Sequence, residues 1–346
     1  MSFPAGKESN KQMLIDDTIY AYAVGRTRAL ETRLLDRARF ERMIDASSAD
    51  DALKVLGESA YANAVAEMSD VHDFESILAA ELRETFDLIL KISPKPELIA
   101  MMTLRYDVHN LKVLFKSKYL GIKSDLLIPI GSLDLDKLEV AVNEDDYRDL
   151  PEKLRLTAEK ISEDFLVNRD PQVIDLLLDQ VLYDQLISLA RENGIQFLEG
   201  MFVRQVDLIN LKSLIRVKRM GLNRELLKNI LLPHGSIPSD RFTAMLDEPL
   251  ESLITMLSMS GYADLVSEGV RDWLDKGTAS RLEKLSDDFI TAYLKAGKWS
   301  PFGLEPLVGY LWAKEIEIKN IRLVLVGKIN KLPAEAIRER IRDVYI

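Results

Sequence analysis

The chain has 346 residues, 46 Lys and Arg against 56 Asp and Glu, a formal net charge of −10 and no cysteine. At about 150 residues per domain this is length for two or three units with their own cores. The missing cysteines exclude disulfide scaffolds, thiolate metal sites and cysteine nucleophiles, and the acidity argues against nucleic acid as the main partner.

With 47% hydrophobic and 29% charged residues the composition is that of a globular protein. The 16 glycines and 12 prolines make up about 8% of the chain, below the roughly 12% usual for that pair, which favours helices over a sandwich or barrel. No apolar run approaches the roughly 18 residues of a membrane-spanning helix. The N-terminal stretch carries Lys7, Glu8, Lys11, Asp16 and Asp17 without an apolar segment, so no signal peptide is expected. The expectation is a soluble, intracellular, mostly helical protein.

In chain order, Ile19, Tyr20, Ala23, Val24, Leu30 and Leu34 recur at helical spacing. Ser47 and Asp50 resemble a capping pair before Ala52–Leu56. Ser93-Pro94 and Asp170-Pro171 each read as an N-cap followed by Pro at the first helical position. Long helical patterns cover Pro96–Tyr119, Pro171–Glu192, Ile195–Met220 and Leu304–Val326, while 128–132 and 232–236 read as Pro- and Gly-containing loops. About 70% helix is expected from these patterns.

Internal repetition is the informative feature. Arg105-Tyr106-Asp107-Val108-His109-Asn110-Leu111-Lys112, ending in Lys118-Tyr119-Leu120-Gly121, recurs 100 residues on as 204–212, ending in Lys218-Arg219-Met220-Gly221. The following loops match as well, Pro129-Ile130-Gly131-Ser132 against Pro233-His234-Gly235-Ser236. A third, weaker copy is Glu317-Ile318-Lys319-Asn320-Ile321-Arg322 with Lys328, where Lys331 replaces the glycine. A second segment repeats too: Phe40, Met43, Leu56, Ser59 and Tyr61-Ala62 against Phe242, Met245, Leu257, Ser260 and Tyr262-Ala263, with a shortened middle copy near 138–147. The chain therefore divides into three degenerate helical units, 1–131, 132–236 and 237–346. Each is too long for a solenoid repeat and reads as a small bundle.

On a helical wheel Asp207 and Asn210 share a stripe with Leu214 and Val217, while Lys212, Arg216 and Arg219 lie roughly 120–180° away. The first copy places Asp107 and Asn110 against Lys112 and Lys116; the third places Glu317 and Asn320 against Arg322. The polar pairs, on an apolar stripe, are expected to be buried and hydrogen-bonded, tying neighbouring helices together in the same way in each unit, with a partner contact or a catalytic carboxylate as the lesser readings. Lys118 and Lys218, three residues before Gly121 and Gly221, fit cations that terminate their own helices. The basic residues are either a solvated face or, since the sign recurs in an acidic protein, a contact surface for an acidic partner.

Catalytic constellations are missing. There is no phosphate-binding glycine loop, no H-E-x-x-H and no G-x-S-x-G. His72, His109 and His234 are far apart in sequence, and Trp273, Trp299 and Trp312 fit packing anchors, with 299–302 as an exposed-loop alternative. No catalytic residue, cofactor, metal or small-molecule substrate is expected, and the sequence favours a binding or structural role over an enzyme with an unrecognised site.

The order and spacing of 20–31, the 40–61 segment, Arg105–Lys112, 204–212 and 216–221 resemble the C subunit of V/A-type rotary ATPases, the family that includes the eukaryotic V-ATPase d subunit. Lys331 in place of glycine and the degraded middle copy depart from the pattern. The resemblance implies an all-α fold of three pseudo-symmetric helical bundles arranged as a funnel. It also implies a non-catalytic central-stalk socket, peripheral on the cytoplasmic face of the cell membrane, linking the rotor shaft to the proteolipid ring in ATP-coupled transport of H+ or Na+. The reading from a different class is a free-standing cytosolic helical-repeat scaffold for acidic proteins.

Overall fold

The computed structural model describes residues 18–68, 70–121 and 126–346, and the regular structure among them is helical without a strand. The charged N-terminal stretch behind the signal-peptide expectation lies outside the described residues. In chain order the helices are α1 (Ala21–Glu31), α2 (Arg37–Asp45), α3 (Ala49–Leu56), α4 (Ala62–Glu67), α5 (Phe74–Ile92), α6 (Pro96–Ala100), α7 (Leu104–Leu120), α8 (Leu135–Glu144), α9 (Glu152–Asn168) and α10 (Gln172–Glu192). They continue with α11 (Gln196–Met220), α12 (Arg224–Ile230), α13 (Ser239–Met245), α14 (Ser252–Met256), α15 (Ala263–Lys276), α16 (Ser280–Gly297), α17 (Glu305–Ile329) and α18 (Ala334–Arg338).

The helices form two compact units: one runs up to Ile99 and resumes at Asp275–Ile346, the other is Ala100–Leu274. In the first unit α17 is central, with α1, α2, α3, α5, α16 and α18 packed around it. Its sequence explains the position: residues 306–314 are all buried, and Ile316, Ile318, Ile321, Val324 and Leu325 continue the apolar surface around the cylinder. A helix apolar on every side has no solvent face to offer. Ile321, Val324 and Leu325 share a core with Phe40, Met43, Ile44, Leu56, Tyr61 and Leu78.

In the second unit α10 packs against α7, α9 and α11. Ile174, Leu178, Leu182 and Leu186 repeat every fourth residue and are all buried, the ridge needed to fit grooves between neighbouring helices. Gly121 and Gly221 end α7 and α11 at φ 66° and 63°, left-handed values that favour glycine.

Several local boundaries differ from the sequence reading. The segment expected as one helix, Pro96–Tyr119, is broken by a 3-10 turn at Met101–Thr103. Thr103 there donates from Oγ1 to the Ala100 carbonyl at 2.8 Å, a side-chain bond that competes with the helical ladder. Ser93 is not an N-cap; its N–H closes α5 on the Ile89 carbonyl, and Pro96 opens the next helix. Ser48, not Ser47, caps α3, accepting from the Asp51 N–H in an extended conformation that lets the side chain turn back. Asp170 does accept from the Gln172 N–H, where α10 begins.

Candidate functional site

The three repeated Asn residues make the same bond. Asn110 donates to the Ile128 carbonyl at 2.9 Å and accepts from the Ile128 N–H at 2.8 Å, 18 residues downstream. Asn210 does the same with Leu232 at 2.9 and 2.8 Å, 22 residues downstream. Asn320 does it with Arg342 at 3.0 and 2.9 Å, again 22 residues on. A carboxamide has one donor side and one acceptor side, so it can replace a neighbouring backbone and satisfy both groups of a buried residue. All three Asn residues are at most 1% exposed.

The acidic partner of each pair holds the next few residues of the same loop. Asp107 accepts from the Ser132 N–H (3.1 Å), the Ser132 hydroxyl (2.8 Å) and the Leu133 N–H (2.9 Å). Asp207 accepts from the Ser236 N–H (3.1 Å), the Ser236 hydroxyl (2.5 Å), the Ile237 N–H (3.0 Å) and the Tyr262 hydroxyl (2.7 Å). Glu317 accepts from the Leu35 N–H at 2.5 Å and the Tyr61 hydroxyl at 2.8 Å. The third loop is therefore assembled from two distant segments of the chain, with Arg342 in the place of Ile128 and Leu232 and Leu35 in the place of Leu133 and Ile237. Gly131 and Gly235 make room for this arrangement, since a Cβ at either position would overlap the carboxylate of Asp107 or Asp207.

The repeated lysines complete the pattern. Lys118 donates to the Val142 carbonyl at 2.7 Å and pairs with Asp145 at 2.6 Å. Lys218 donates to the carbonyls of Met245 (3.0 Å), Leu246 (2.7 Å) and Glu248, and Lys328 to that of Ala46 at 2.5 Å. These carbonyls lie at the C-terminal ends of α8, α13 and α2. Lys118 and Lys218 stand in the last turns of α7 and α11, as the sequence suggested, yet their ammonium groups, like that of Lys328, cap the short helix that follows each clamped loop.

The electrostatics differ among the copies. Burial pushes the Asp107 carboxyl above its ordinary value, against the bonds from Leu133 and Ser132. Burial, joined by the Glu317 carboxylate, pushes the Tyr61 hydroxyl well up. Glu317 has a cation three residues back on its own helix: Lys314, 1% exposed, donates to it at 2.8 Å and to Glu81 at 3.0 Å. Burial works against the Lys314 charge, yet Glu317, Tyr310 and Glu81 hold its pKa above the ordinary lysine value.

Most of the basic residues on the opposite side are engaged inside their own unit. Lys112 donates to Asp179 at 2.6 Å and Lys116 to Asp175 at 2.8 Å. Arg322 makes a two-pronged pair with Glu75 at 2.7 and 2.8 Å. Arg219 lies over the Trp273 ring, 5.3 Å from its centroid, and Lys212 is half-buried and engaged within the chain. Arg216 is exposed.

Among the described residues no group of three or more His, Cys, Asp or Glu is arranged to hold a metal, and no helix is long and apolar enough to cross a membrane. His109 meets the Leu126 carbonyl and His234 the Asp184 carboxylate, at 2.9 and 3.2 Å. Trp312 is buried and donates to Thr291 at 2.9 Å, whereas Trp299 is exposed. The polar machinery of the repeats is thus spent on joining segments. Sequence reasoning missed Leu35 and Arg342 as one split loop, and Lys314; the repeated Tyr61 and Tyr262, at matching distances behind Leu35 and Ile237, were the available signal.

The model of the ATP synthase (C/AC39) subunit family matches residues 23–340. The chain belongs to this family. It is 28% identical to the C subunit of the V-type sodium ATPase of Enterococcus hirae, over 92% of this chain and 96% of that protein. It is also 28% identical to the C subunit of the A-type ATP synthase of Methanocaldococcus jannaschii (94% and 87%), and 27% to that of Pyrococcus furiosus (94% and 91%). As a member of the family, the chain is a non-catalytic central-stalk subunit of the V/A-type ATPase.

Proposed function

We propose that this protein is the socket between the rotor shaft and the membrane proteolipid ring, and that it passes torque between them in ATP-coupled transport of protons or sodium ions. The three repeats, 1–131, 132–236 and 237–346, are then three related bundles arranged as a funnel, with the complex holding the protein on the cytoplasmic face of the cell membrane. The observation that carries this reading is the family match over nearly the whole chain. The clamps support it mechanically: each long helix holds a loop by an Asn and a carboxylate and the short helix behind that loop by a Lys, three fixed points that resist local shear, and in the third copy two of them lie on a segment 282 residues earlier in the chain. Lys112, Lys116, Lys212, Arg216, Arg219 and Arg322 are the candidate contacts for acidic partner surfaces, with Arg216, Arg219 and Arg322 the exposed ones.

A mass-resolved pull-down from solubilised native membranes tests the role. Recovery of shaft subunits and ring proteolipids is the expected result. Recovery of neither, together with a salt-stable soluble pool of the protein, would replace the socket with a free-standing scaffold.

A further inference from the structure

The repeats supply an internal template for what covers the basic side of each long helix. On α7, Lys112 and Lys116 are met by α10, which presents Asp179 and Asp175, one helical turn apart, beside its buried Ile174 and Leu178. On α17, Arg322 is met by Glu75 of α5. On α11 the position equivalent to Lys116 is Arg216, 100 residues on in the repeat. Arg216 is exposed and makes no ion pair or hydrogen bond with the described residues.

Beside Arg216 a groove of about 330 Å³ opens between α10, α11 and α12. Ile209, Val217, Leu226 and Leu232 line it, and Met220 and Leu222, 62% and 38% exposed, form its lip. Asp175 and Asp179 stand on the opposite wall, but Lys112 and Lys116 already balance them. Arg216 is therefore the unmatched charge of a groove lined by apolar side chains and two neutralised aspartates.

We infer that this groove receives an acidic amphipathic helix of a partner protein, with a carboxylate on Arg216 and apolar side chains against Met220 and Leu222. The chemistry is that of α10 on α7, supplied in trans: an amphipathic helix laying its apolar face into a groove, with charge setting its register. This deepens the central-stalk reading by naming the chemistry of one partner contact.

The probe is a stapled, fluorescently labelled helical peptide with the sequence of residues 170–187 of this chain, titrated into the full-length protein by anisotropy. Saturable binding is expected, weakened about tenfold or more by Arg216→Glu, as for loss and reversal of one close charge pair. A peptide carrying lysine in place of Asp175 and Asp179 is expected to prefer the Arg216→Glu protein, a rescue that a merely structural role would not produce. Met220→Glu, on the exposed lip, is the second variant and is expected to weaken both peptides. No saturable binding, or equal affinity for wild type and Arg216→Glu, overturns the inference. So does concentration-dependent dimerisation in sedimentation that Arg216→Glu abolishes, which assigns the groove to a second copy of the chain. The titration reads the groove alone, so it can fail while the membrane pull-down succeeds, and the reverse.

Discussion

Replacing Asn210 by Leu tests the clamp most directly, because leucine nearly matches asparagine in shape and removes only its hydrogen bonding. The Leu232 N–H and C=O would lose their partner while remaining buried; Leu232 is 2% exposed and Asn210 is 1%. An unsatisfied buried polar group costs about 1–3 kcal/mol, so two cost about 2–6 kcal/mol. The leucine recovers part of this, about 1–2 kcal/mol, by burying apolar rather than polar atoms. A net loss of about 1–4 kcal/mol follows, which lowers the melting midpoint of a unit this size by about 3–12 °C. The assay is thermal and urea unfolding of the full chain, with hydrogen exchange at the Leu232 amide as the local probe. Faster exchange at Leu232 should accompany the lower midpoint. An unchanged midpoint with the amide still protected would refute the view that the carboxamide holds the loop.

Lys314→Met leaves Glu317 and Glu81 without their buried cation and is expected to cost about 3–5 kcal/mol; a midpoint indistinguishable from wild type would contradict this. Gly235→Ala pushes a methyl group into the Asp207 carboxylate and is expected to destabilise by about 1–3 kcal/mol, whereas Ala at Gly25, where a Cβ meets nothing within 4 Å, serves as the neutral control in the same urea titrations. Asp107→Asn tests the raised carboxyl: the folded state holds that proton more tightly than the unfolded state, so the Asp107 contribution is full below the unfolded value of about 3.9 and is lost as pH rises through the folded value. The stability of wild type relative to Asp107→Asn should therefore fall as pH rises above the unfolded value, and urea-midpoint curves that stay parallel there would remove the proposed cause.

Helix type and position were legible because the signal is repeated over many residues: the four-residue apolar spacing in 174–186 and the buried run 306–314 each admit one packing solution. Breaks were less legible. Nothing in the apolar pattern of Pro96–Tyr119 marks the turn at Met101–Thr103, where one threonine hydroxyl competes with the ladder. The polar pairs could be seen as buried and bonded, since Asp and Asn on an apolar stripe have no other stable state. Their partners could not, because a backbone group 18 or 22 residues away leaves no mark on the side-chain pattern. The lysines misled for a related reason. A cation before a C-terminal glycine fits its own helix dipole, and only the three-dimensional path of the chain shows that α8, α13 and α2 end against it. The basic side was legible as a pattern but not as a charge balance, since Asp175, Asp179 and Glu75 come from other helices.

The third clamp shows what the repetition accomplishes physically. In the first two copies the carboxamide and the carboxylate grip one continuous loop, so that loop connectivity alone would keep the two sites near each other. In the third, Asn320 grips Arg342 and Glu317 grips Leu35, and no covalent path of loop length joins those residues. The same two side chains, three residues apart on one helix, therefore do noncovalently what the chain does covalently elsewhere. Holding Leu35 fixes the start of α2, and Lys328 fixes its end through Ala46, so a single helix positions from both sides a segment 282 residues away in the chain. In the proposed socket role this junction has to resist local opening as much as the cores do, because segments held by few contacts open at the lowest free energy. The Lys314–Glu317–Glu81 cluster places a costly interaction to break at the junction that lacks a covalent loop.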